Sequence, residues 1–395
     1  MNVLVLHSEL GVLRGGGENF SRNLFTAFAE RGHRIAAAFV ADRRGRYPLP
    51  LPSAIRPIPI PGWWRSSLGQ ATLSSVGRYL PPEGRYRKEW DRIQGGISWR
   101  VFRWHKGRFQ RRIESKFSKR WKDFDAVYVH GDPILASKVA RYRPTVLFLP
   151  GPLSAELAPE LVATHAVCAN GDALRQIESF LGSHATELPV GLDHQVFKPG
   201  PTSIRQRLRW SDHDRVVGYV GRLHHIKGVD ILATAFREIS RKLPNARLLI
   251  VGRGEEEKNM RSDLAEEISR GVAHIETDVD DEELPEWYRA MDLMVMPSRY
   301  ENFSIALLEG MACEKPFLGS DVGGNRMMAE TGAGWLFEPG SAASLVARLT
   351  EIVKNGAELK ARGKIGFGYV QNHHSWSRAA ERLEKIIISK LGATK

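Results

Sequence analysis

Short apolar runs alternate with longer amphipathic stretches along most of this chain. Each apolar run is typical of a buried parallel strand, and the amphipathic stretches are typical of helices that cover a sheet. The pattern therefore predicts repeated βα units. The predicted strands of the first half are Val3–Leu6, Ile35–Val40, Ala126–His130, Thr145–Leu149, Ala166–Ala169 and Thr186–Pro189. Those of the second half are Val216–Val220, Arg247–Gly252, His274–Glu276, Leu293–Pro297 and Pro316–Gly319.

The chain is long enough for two domains. Its 395 residues exceed what one ordinary hydrophobic core accommodates, and residues 197–202 have the composition of a linker. We therefore predict an α/β protein with two doubly wound, Rossmann-like domains, at 1–198 and 199–374. A helix is predicted over Asn19–Glu30, which carries several apolar residues on one side and is followed by Gly32.

Composition indicates a soluble globular protein. Hydrophobic residues make up 42% of the chain and charged residues 26%, and no apolar run approaches the roughly 20 residues that cross a bilayer. Met1–His7 has the pattern of a strand rather than of a signal peptide. Cys168 and Cys313 are the two cysteines, without paired spacing or a nearby His cluster. We therefore expect a cytoplasmic protein without a structural metal site.

Nearly all of the net charge of +12 lies in one segment. From Arg85 to Lys122 there are 14 Lys or Arg residues and three acids. Aromatic and aliphatic residues recur there on one side of a helix of about 3.6 residues per turn, and most cations project elsewhere. Three uses remain open for the segment 85–124: contact with an anionic membrane, packing on the first sheet with a solvated basic face, and nucleic-acid binding, for which the candidate site chemistry offers no role. The apolar residues are Trp99, Phe102, Phe109, Ile113, Phe117, Trp121 and Phe124.

Two acids, Glu301 and Glu309, lie where a strand gives way to a helix. Ligands of open α/β sheets bind at the carboxyl ends of the strands, so both acids are placed to meet a ligand. If Ser304 or a neighbour opens the helix, Glu301 stays in the loop and Glu309 lies more than a turn inside. Such acids reach different parts of an elongated ligand and do not form the close pair of a retaining glycosidase.

A basic loop follows the predicted strand Val216–Val220. The run Gly221–Gly228 presents Arg222 and Lys227 beside a helix N-terminus, where a diphosphate meets both positive side chains and the positive end of the helix dipole. We predict a diphosphate clamp there that needs no metal.

The first half offers a glycine loop and a histidine. Gly15, Gly16 and Gly17 follow the first strand and open a helix, so backbone amides can approach a phosphate or a sugar closely. His130 ends the strand Ala126–His130. A lone histidine is more often structural than functional, and neither a dinucleotide-binding glycine motif nor a P-loop is present.

These motifs together resemble glycosyltransferase family 4, retaining enzymes with the GT-B fold. The resemblance rests on Glu301 and Glu309 within their Pro-Ser and Met-Ala-Cys frame, on the Gly-Arg-x4-Lys-Gly loop, on the Gly-Gly-x-Glu loop and on the strand that ends in His130. It covers nearly the whole chain, is dense from 216 to 340 and is silent from 44 to 123. Further matching segments are Leu188–Asp193, Asp321–Gly324, Gly334–Gly340 and Ser375–Trp376.

The resemblance implies transfer of a sugar from a UDP- or GDP-sugar, without cofactor or metal, in a cleft between the two domains. It assigns the diphosphate to Arg222, Lys227 and the glycine loop, the ribose to Glu309, and the sugar to Glu301 and His130. Asn302, Phe303 and Ser304 count among the donor-binding residues, and the helix within 375–395 is expected to pack on the first domain. A saccharide or lipid-linked acceptor of polysaccharide or glycolipid biosynthesis is expected, with the enzyme in the cytoplasm or on the inner face of the plasma membrane.

Three departures from the family pattern bear on donor preference. Val190 stands in place of Asn, Glu314 in place of Gly, and Met327 in place of a common Glu. Two other functions remain alternatives: a sugar-nucleotide epimerase of the same fold, and a non-catalytic basic protein that binds a membrane or nucleic acid.

Overall fold

A computed structural model describes residues 1–12, 16–61, 106–151, 157–162, 164–181 and 185–392. These residues form two parallel sheets with helices between the strands. The strands of the first sheet are β1 (Asn2–Leu6), β2 (Arg34–Ala41), β3 (Ile55–Pro61), β4 (Ala126–His130), β5 (Thr145–Leu149), β6 (Ala166–Ala169) and β7 (Ala185–Glu187). Those of the second are β8 (Arg215–Val220), β9 (Ala246–Val251), β10 (Ala273–Glu276), β11 (Leu293–Met296), β12 (Phe317–Ser320) and β13 (Gly334–Phe337).

The two sheets share one strand order over six strands, and the first sheet has β7 as a seventh. The first runs β3-β2-β1-β4-β5-β6-β7 and the second runs β10-β9-β8-β11-β12-β13. The first strand of each sheet along the chain therefore lies inside the sheet and pairs with the fourth: β1 lies parallel to β4, and β8 lies parallel to β11. Chain order reverses at these pairs, which are the topological switch points of doubly wound sheets. The predicted two Rossmann-like domains are confirmed.

The helices lie mainly in the crossovers between parallel strands, as the amphipathic pattern predicts. Those before β8 are α1 (Gly16–Glu30), α2 (106–117), α3 (Pro133–Val139), α4 (Ala158–Val162), α5 (Gly171–Leu181) and α6 (Ile204–Arg207). Those after β8 are α7 (Val229–Lys242), α8 (Glu257–Asp263), α9 (Ala265–Ser269), α10 (Leu284–Ala290), α11 (Ile305–Ala312), α12 (Gly323–Ala329), α13 (Ala342–Ile352), α14 (Gly356–His373) and α15 (Trp376–Gly392). No helix among these is long and apolar enough to cross a membrane.

Each of the two compact units draws on more than one part of the chain. The first comprises Met1–Ala169, Ile177–Thr186 and Ala380–Lys395, and the second comprises Asn170–Gln176 and Glu187–Ala379. The predicted boundaries were 198/199, from the composition of the linker, and 374/375, from the family resemblance. In the second unit, the predicted linker is held to α10, because Arg289 Nε donates to the carbonyl of Lys198 at 2.9 Å. In the first unit, Glu384 of α15 accepts a hydrogen bond from His33 Nε2 at 2.9 Å.

Two strands, β3 and β13, were not predicted. β3 contains prolines at 57, 59 and 61. Such a run is not predicted as a strand, because proline has no N–H to donate to a sheet ladder. Alternate residues of a strand point their backbone groups to opposite sides, so these three prolines share one side. β3 lies at the edge of its sheet, beside β2. The missing donors can therefore face away from β2, while Ile58 and Ile60 are buried.

The Gly that the family commonly has at position 314 has a structural explanation. Glu314 follows the end of α11 and has φ +59°. This is the left-handed backbone region, which a residue other than glycine adopts at a cost of about 1 kcal/mol. Gly363 allows α14 to pack closely against this turn, since a Cβ on Gly363 would come within 2.2 Å of the Glu314 carbonyl oxygen. The second departure, Val190, contributes through its backbone, because its carbonyl accepts from His374 Nδ1 at 2.8 Å.

The apolar face of the basic segment packs inside the first unit. Five of its seven residues are described, and each is at most 5% exposed: Phe109, Ile113, Phe117, Trp121 and Phe124. Phe117 contacts the rings of Trp121 and Phe124 at centroid distances of 5.4 and 5.9 Å. Trp99 and Phe102 lie outside the described residues. Of the three uses left open for the segment, packing inside the first unit is the one that residues 106–124 adopt, so their aromatic face is not available to enter a membrane.

We expect Phe117→Ala to destabilise the protein by about 3–5 kcal/mol, because it removes a completely buried ring and leaves a cavity. Lys116→Ala, one position earlier and exposed, should change stability by less than about 0.5 kcal/mol. Denaturant unfolding followed by circular dichroism measures both. Equal stability of the two variants would contradict the packing described for the segment.

Candidate functional site

The segment with both acids folds as predicted. β11 ends at Met296, and Ser304 caps α11 by accepting a hydrogen bond from the amide of Leu307 at 3.3 Å. Glu301 therefore lies in the loop, and Glu309 lies on the second turn of the helix. Serine favours this position because its hydroxyl satisfies an amide that the helix leaves unpaired. The cap thus determines where each acid lies relative to the end of β11.

The basic loop after β8 approaches this segment closely. A short 3-10 turn, His225–Lys227, leads into Gly228, which has φ +67° and opens α7. A Cβ on Gly228 would lie 1.9 Å from the carbonyl oxygen of Pro297. Only glycine combines this backbone conformation with so close an approach. Gly228 thereby brings the loops that follow β8 and β11 into contact.

Lys227 and Glu301 form an ion pair between these two loops. Lys227 Nζ donates to Glu301 Oε2 at 2.6 Å, and Ser298 Oγ donates to the same oxygen at 3.3 Å. The Glu301 side chain is 7% exposed and that of Lys227 is 20% exposed. A carboxylate so enclosed requires a positive partner, since an unpaired buried charge is costly. The pair fixes both side chains before any ligand binds.

A second ion pair, not foreseen from the sequence, ties the same loops together. Arg299 Nη1 and Nη2 donate to the two carboxylate oxygens of Asp230, each at 2.7 Å, and Nη1 also donates to the carbonyl of His225 at 2.8 Å. Burial raises the pKa of Asp230, but the hydrogen bonds and charge of Arg299 outweigh it and lower that pKa below its usual value. Asp230 stays ionised, and the bidentate pair holds the basic loop against the acidic one.

Arg222 lies at the end of β8 with its side chain exposed. The hydroxyl of Tyr219 donates to the backbone carbonyl of Arg222 at 2.8 Å, which fixes the main chain at this point. Within the described part of the chain, the guanidinium forms no hydrogen bond or ion pair. Arg222 therefore presents a positive charge to solvent beside Lys227, whose charge is already balanced by Glu301.

Glu309 is held by a tyrosine from α10. Tyr288 donates its hydroxyl hydrogen to Glu309 Oε2 at 2.6 Å. Burial raises the pKa of Glu309 to about 7, although the hydrogen bond from Tyr288 acts in the opposite direction. Glu309 can therefore exist in both protonation states near neutral pH. Ionised, it would accept hydrogen bonds from the hydroxyls of a ligand.

The three residues after Glu301 contact neighbouring parts of the second unit. Asn302 Oδ1 accepts from the amide of Ala173 at 2.7 Å, at the start of α5. Phe303 lies 5.9 Å from the ring of His374, centroid to centroid, and Ser304 caps α11. These residues were predicted to bind the donor. Each has a structural contact of its own that shapes the loop around Glu301.

In the first unit, the glycine loop lies beside His130. Gly15 is outside the described residues, whereas Gly16 and Gly17 form the start of α1. His130 Nε2 lies 3.1 Å from the place that a Cβ on Gly17 would take. Burial, followed by the charges of His7 and Lys106, holds the pKa of His130 well below its usual range. The imidazole is therefore neutral and presents Nε2 next to Gly17.

Sequence reasoning missed three polar residues around His130. His7 is 4% exposed, Ser21 is completely buried, and Glu18 is 9% exposed. The available signal was that both His7 and His130 stand at the ends of predicted strands. Their proximity depends on the pairing of β1 with β4, which the sequence pattern does not specify.

The structure thus gathers the predicted residues into two groups. Arg222, Lys227, Glu301 and Glu309 lie at the carboxyl ends of β8 and β11, and Gly17 and His130 lie at those of β1 and β4. In the described ranges, no three His, Cys, Asp or Glu side chains are placed to hold a metal ion.

Comparison with known proteins finds similarity over about half of the chain. Residues 202–387 match the family model described as glycosyl transferases group 1. The chain is 30% identical over 230 residues to a GDP-mannose-dependent monoacylated alpha-(1-6)-phosphatidylinositol monomannoside mannosyltransferase of Corynebacterium glutamicum, covering 55% of this chain and 60% of that protein. It is 30% identical over 202 residues to a D-inositol 3-phosphate glycosyltransferase of Segniliparus rotundus, covering 50% of this chain and 45% of that protein. The chain therefore spans less than two thirds of either relative.

Fold similarity extends over the whole chain. The sucrose-phosphate synthase of Thermosynechococcus elongatus superposes with a TM-score of 0.73 at 18% identity, covering 100% of both chains. These similarities confirm the predicted GT-B fold and the resemblance to glycosyltransferase family 4.

The raised pKa of Glu309 predicts a pH dependence of stability. Between pH 4.5, the ordinary value, and about 7, the folded protein retains a proton that the unfolded chain has released. Stability should therefore fall as pH rises through this window. Glu309→Gln removes the cost, so this variant should gain about 2 kcal/mol over the parent between pH 5 and pH 8.

Denaturant unfolding of both proteins at several pH values measures the difference. The exposed Glu351→Gln serves as the matched control, and its stability should follow that of the parent at every pH. A constant offset between Glu309→Gln and the parent from pH 5 to pH 8 would contradict the assignment.

Proposed function

We propose that this GT-B protein, similar over its second half to group 1 glycosyl transferases, is a retaining, metal-independent glycosyltransferase. It would transfer a hexosyl group from a UDP- or GDP-sugar to a saccharide or lipid-linked acceptor. The observation that carries the proposal is that one loop after β8 holds both the exposed Arg222 and Lys227, whose side chain is bound to Glu301 of the loop after β11. This basic clamp, Arg222 and Lys227, also lies beside the N-terminus of α7, which favours an anion.

The clamp would bind the donor diphosphate. Arg222 offers several N–H donors to phosphate oxygens, and Lys227 offers a hydrogen bond besides the one that Glu301 accepts. Lys227 is held in place before binding by Glu301, and Arg222 adds a second positive charge, so together they would stabilise the charge that grows on the diphosphate as it leaves. This stabilisation takes the role that a divalent cation has in other transferases.

The acids would orient the two ends of the donor. Glu309 accepts hydrogen bonds from the ribose hydroxyls, with Tyr288 fixing the orientation of its carboxylate. Glu301 accepts from hydroxyls of the sugar with the lone pairs that Lys227 and Ser298 leave available. His130 donates a hydrogen bond to the sugar from Nε2, and the amides of the glycine loop contact phosphate.

Retention of configuration follows if the acceptor attacks from the side on which the diphosphate leaves. The bond between sugar C1 and the diphosphate oxygen breaks, and the acceptor oxygen forms a bond to C1 on the same face. The departing phosphate oxygen takes the acceptor's proton. This path requires no enzyme carboxylate as a nucleophile.

Similarity to named relatives supports the donor and acceptor classes. One relative is named for GDP-mannose and a phosphatidylinositol monomannoside, and the other for inositol 3-phosphate. Both acceptors carry a hydroxylated ring with a phosphate, and one of them is a lipid. A cytoplasmic enzyme that modifies such a lipid would work at the inner face of the plasma membrane.

The basic face of residues 106–124 supports contact with that surface. Arg111, Lys116, Lys119 and Lys122 are exposed, while the apolar residues between them are buried. Cations of this kind contribute about 1 kcal/mol each to binding an anionic leaflet without inserting into it. We therefore propose electrostatic contact in place of the aromatic insertion that the structure contradicts.

Thermal unfolding with a panel of UDP- and GDP-sugars tests the proposed donor. A bound donor raises the midpoint because it binds only the folded state, and turnover with an acceptor should persist in EDTA. Arg222→Ala should lower turnover at least tenfold, the change that about 1.4 kcal/mol produces. Arg241→Ala, an exposed arginine at the far end of α7, is the matched control and should leave turnover unchanged.

Lys227→Met should have the same effect as Arg222→Ala, but it leaves Glu301 unpaired. The double variant Lys227→Met/Glu301→Gln separates the lost phosphate contact from a destabilised loop. If no nucleotide sugar in the panel raises the unfolding midpoint, the result would favour a non-catalytic binding protein. Conversion of a nucleotide sugar without any acceptor would favour an epimerase, and activity that EDTA abolishes and magnesium restores would contradict metal independence.

Sedimentation with vesicles tests the membrane contact. The protein should pellet with anionic vesicles at low salt, remain in solution with neutral vesicles, and be released at high salt, since exposed charges are screened. The triple variant Lys116→Glu/Lys119→Glu/Lys122→Glu should lose this binding but keep its fold. If the parent protein stays in the supernatant with anionic vesicles at low salt, the membrane proposal is wrong and a soluble acceptor replaces it.

A further inference from the structure

Two histidines stand side by side where the first sheet changes direction. β1 and β4 are paired with Leu6 opposite Val129, so the next residues, His7 and His130, emerge together. Their rings stack at a centroid distance of 4.0 Å with an interplanar angle of 5°. His7 has no place in the reaction proposed above. It is nevertheless buried beside His130, the residue proposed to bind the sugar.

A hydroxyl connects the two rings. Ser21 Oγ lies 3.0 Å from His7 Nδ1 and 3.2 Å from His130 Nδ1. On the other side of His7, Nε2 lies 3.7 Å from Glu18 Oε1. The order of groups is therefore Glu18, His7, Ser21 and His130. Among the described residues, the last atom of this series is His130 Nε2, which lies next to Gly17.

The single hydrogen of the serine hydroxyl gives this series of hydrogen bonds a direction. A serine hydroxyl has one hydrogen, so if it donates to one ring nitrogen it accepts from the other. The carboxylate of Glu18 favours a hydrogen on His7 Nε2. Ser21 also hydrogen-bonds the hydroxyl of Tyr128, which can donate to the serine oxygen in either state. The state of His7 Nδ1 then decides which ring nitrogen receives the serine hydrogen.

When His7 is cationic, Nδ1–H donates to Ser21, and Ser21 donates to His130 Nδ1. The hydrogen of neutral His130 is then on Nε2, which becomes a donor. When His7 is neutral, its Nδ1 accepts from Ser21, and Ser21 accepts from His130 Nδ1–H. His130 Nε2 then becomes an acceptor.

The other groups around His130 are consistent with a neutral ring that can take either form. Lys106 faces it and donates from Nζ to the carbonyl of Gly131 at 2.8 Å. Tyr128 places its hydroxyl 3.4 Å from His130 Nδ1, and Phe148 packs at a centroid distance of 5.3 Å. Lys106 and cationic His7 both oppose a charge on His130. A change at His7 therefore moves the hydrogen on His130 from one nitrogen to the other instead of adding a second one.

We propose that His7 is a positioning residue which, through Ser21, determines whether His130 Nε2 donates or accepts a hydrogen bond beside Gly17. Cationic His7, paired with Glu18, selects the donor form that an oxygen of a sugar or phosphate requires. Loss of the His7 proton selects the acceptor form. We call the hydrogen-bonded series from His7 through Ser21 to His130 the relay. The inference rests on the proposed function for the ligand that His130 binds, but the relay is present in the protein without substrate.

Ring-nitrogen NMR of the substrate-free, ¹⁵N-histidine-labelled protein tests the relay. The His130 signals are assigned by their loss in His130→Gln. In the parent protein, His130 Nε2 should carry the hydrogen at low pH, and the hydrogen should shift to Nδ1 as His7 loses its proton. In Ser21→Ala, the His130 tautomer should no longer follow the titration of His7. His7→Asn keeps a polar atom near the Nδ1 position but does not titrate, so the His130 signals should become independent of pH.

Identical pH dependence of the His130 signals in the parent and in Ser21→Ala would overturn the relay, as would an unprotonated Nε2 at every pH. Ser21→Ala removes one oxygen and keeps the stacked rings, so the test does not depend on the folding of a His7 variant. The pH profile of kcat/KM supplies a second measurement, and it should lose one titration in His7→Asn. If the enzyme is active but the pH dependence of the His130 signals is the same in Ser21→Ala as in the parent, this inference alone is overturned. A working relay without turnover contradicts the proposed function instead.

Discussion

In each unit, the arrangement of candidate residues depends on one constraint, the parallel pairing of the two strands at which the order of the sheet reverses. Because the crossovers that leave these strands run in opposite directions along the sheet, the loops after them diverge and leave backbone groups accessible between them. β8 and β11 place the basic clamp beside the acids in this way, and β1 and β4 place His7 beside His130. Moving either strand to another position in the sheet would separate residues that contact each other only through these ends.

Charge balance explains how the second unit keeps a positive group available at such a place. Lys227 is neutralised by Glu301, and Arg299 by Asp230, and both pairs fix the two loops. The enclosed pair, Lys227–Glu301, contributes mainly to geometry, because the attraction within a buried pair does little more than offset the cost of desolvating it. Arg222 remains exposed and supplies the net charge for an anion. Rigid pairs with one available arginine beside them are suited to an anion whose charge grows during reaction, because no reorganisation is then needed.

Local patterns predicted the elements well. Every predicted strand is present, and Ala126–His130, Thr145–Leu149 and Ala166–Ala169 have the predicted bounds. The strand β3 was missed because its prolines hide the alternation of buried isoleucines. Glu301, Arg222 and Lys227 were predicted as site residues because each follows a strand within a distinct run, and Glu309 because it lies in the same run as Glu301, on the next helix. Asp230 and Arg299 were missed because they are 69 residues apart, and an ion pair at that separation leaves no local pattern.

The sequence by itself determined the α/β class, the strands and helices, and the residues that carry charge at strand ends. These properties depend on hydrophobic period, caps and glycine positions, which are local. Tertiary structure decided which strand ends are neighbours, and therefore that His7 stacks on His130 and that Lys227 meets Glu301. It also decided the use of the aromatic face at residues 109–124. An amphipathic face is equally compatible with lipid and with a protein core, and only the packing of the first unit shows that the core covers it.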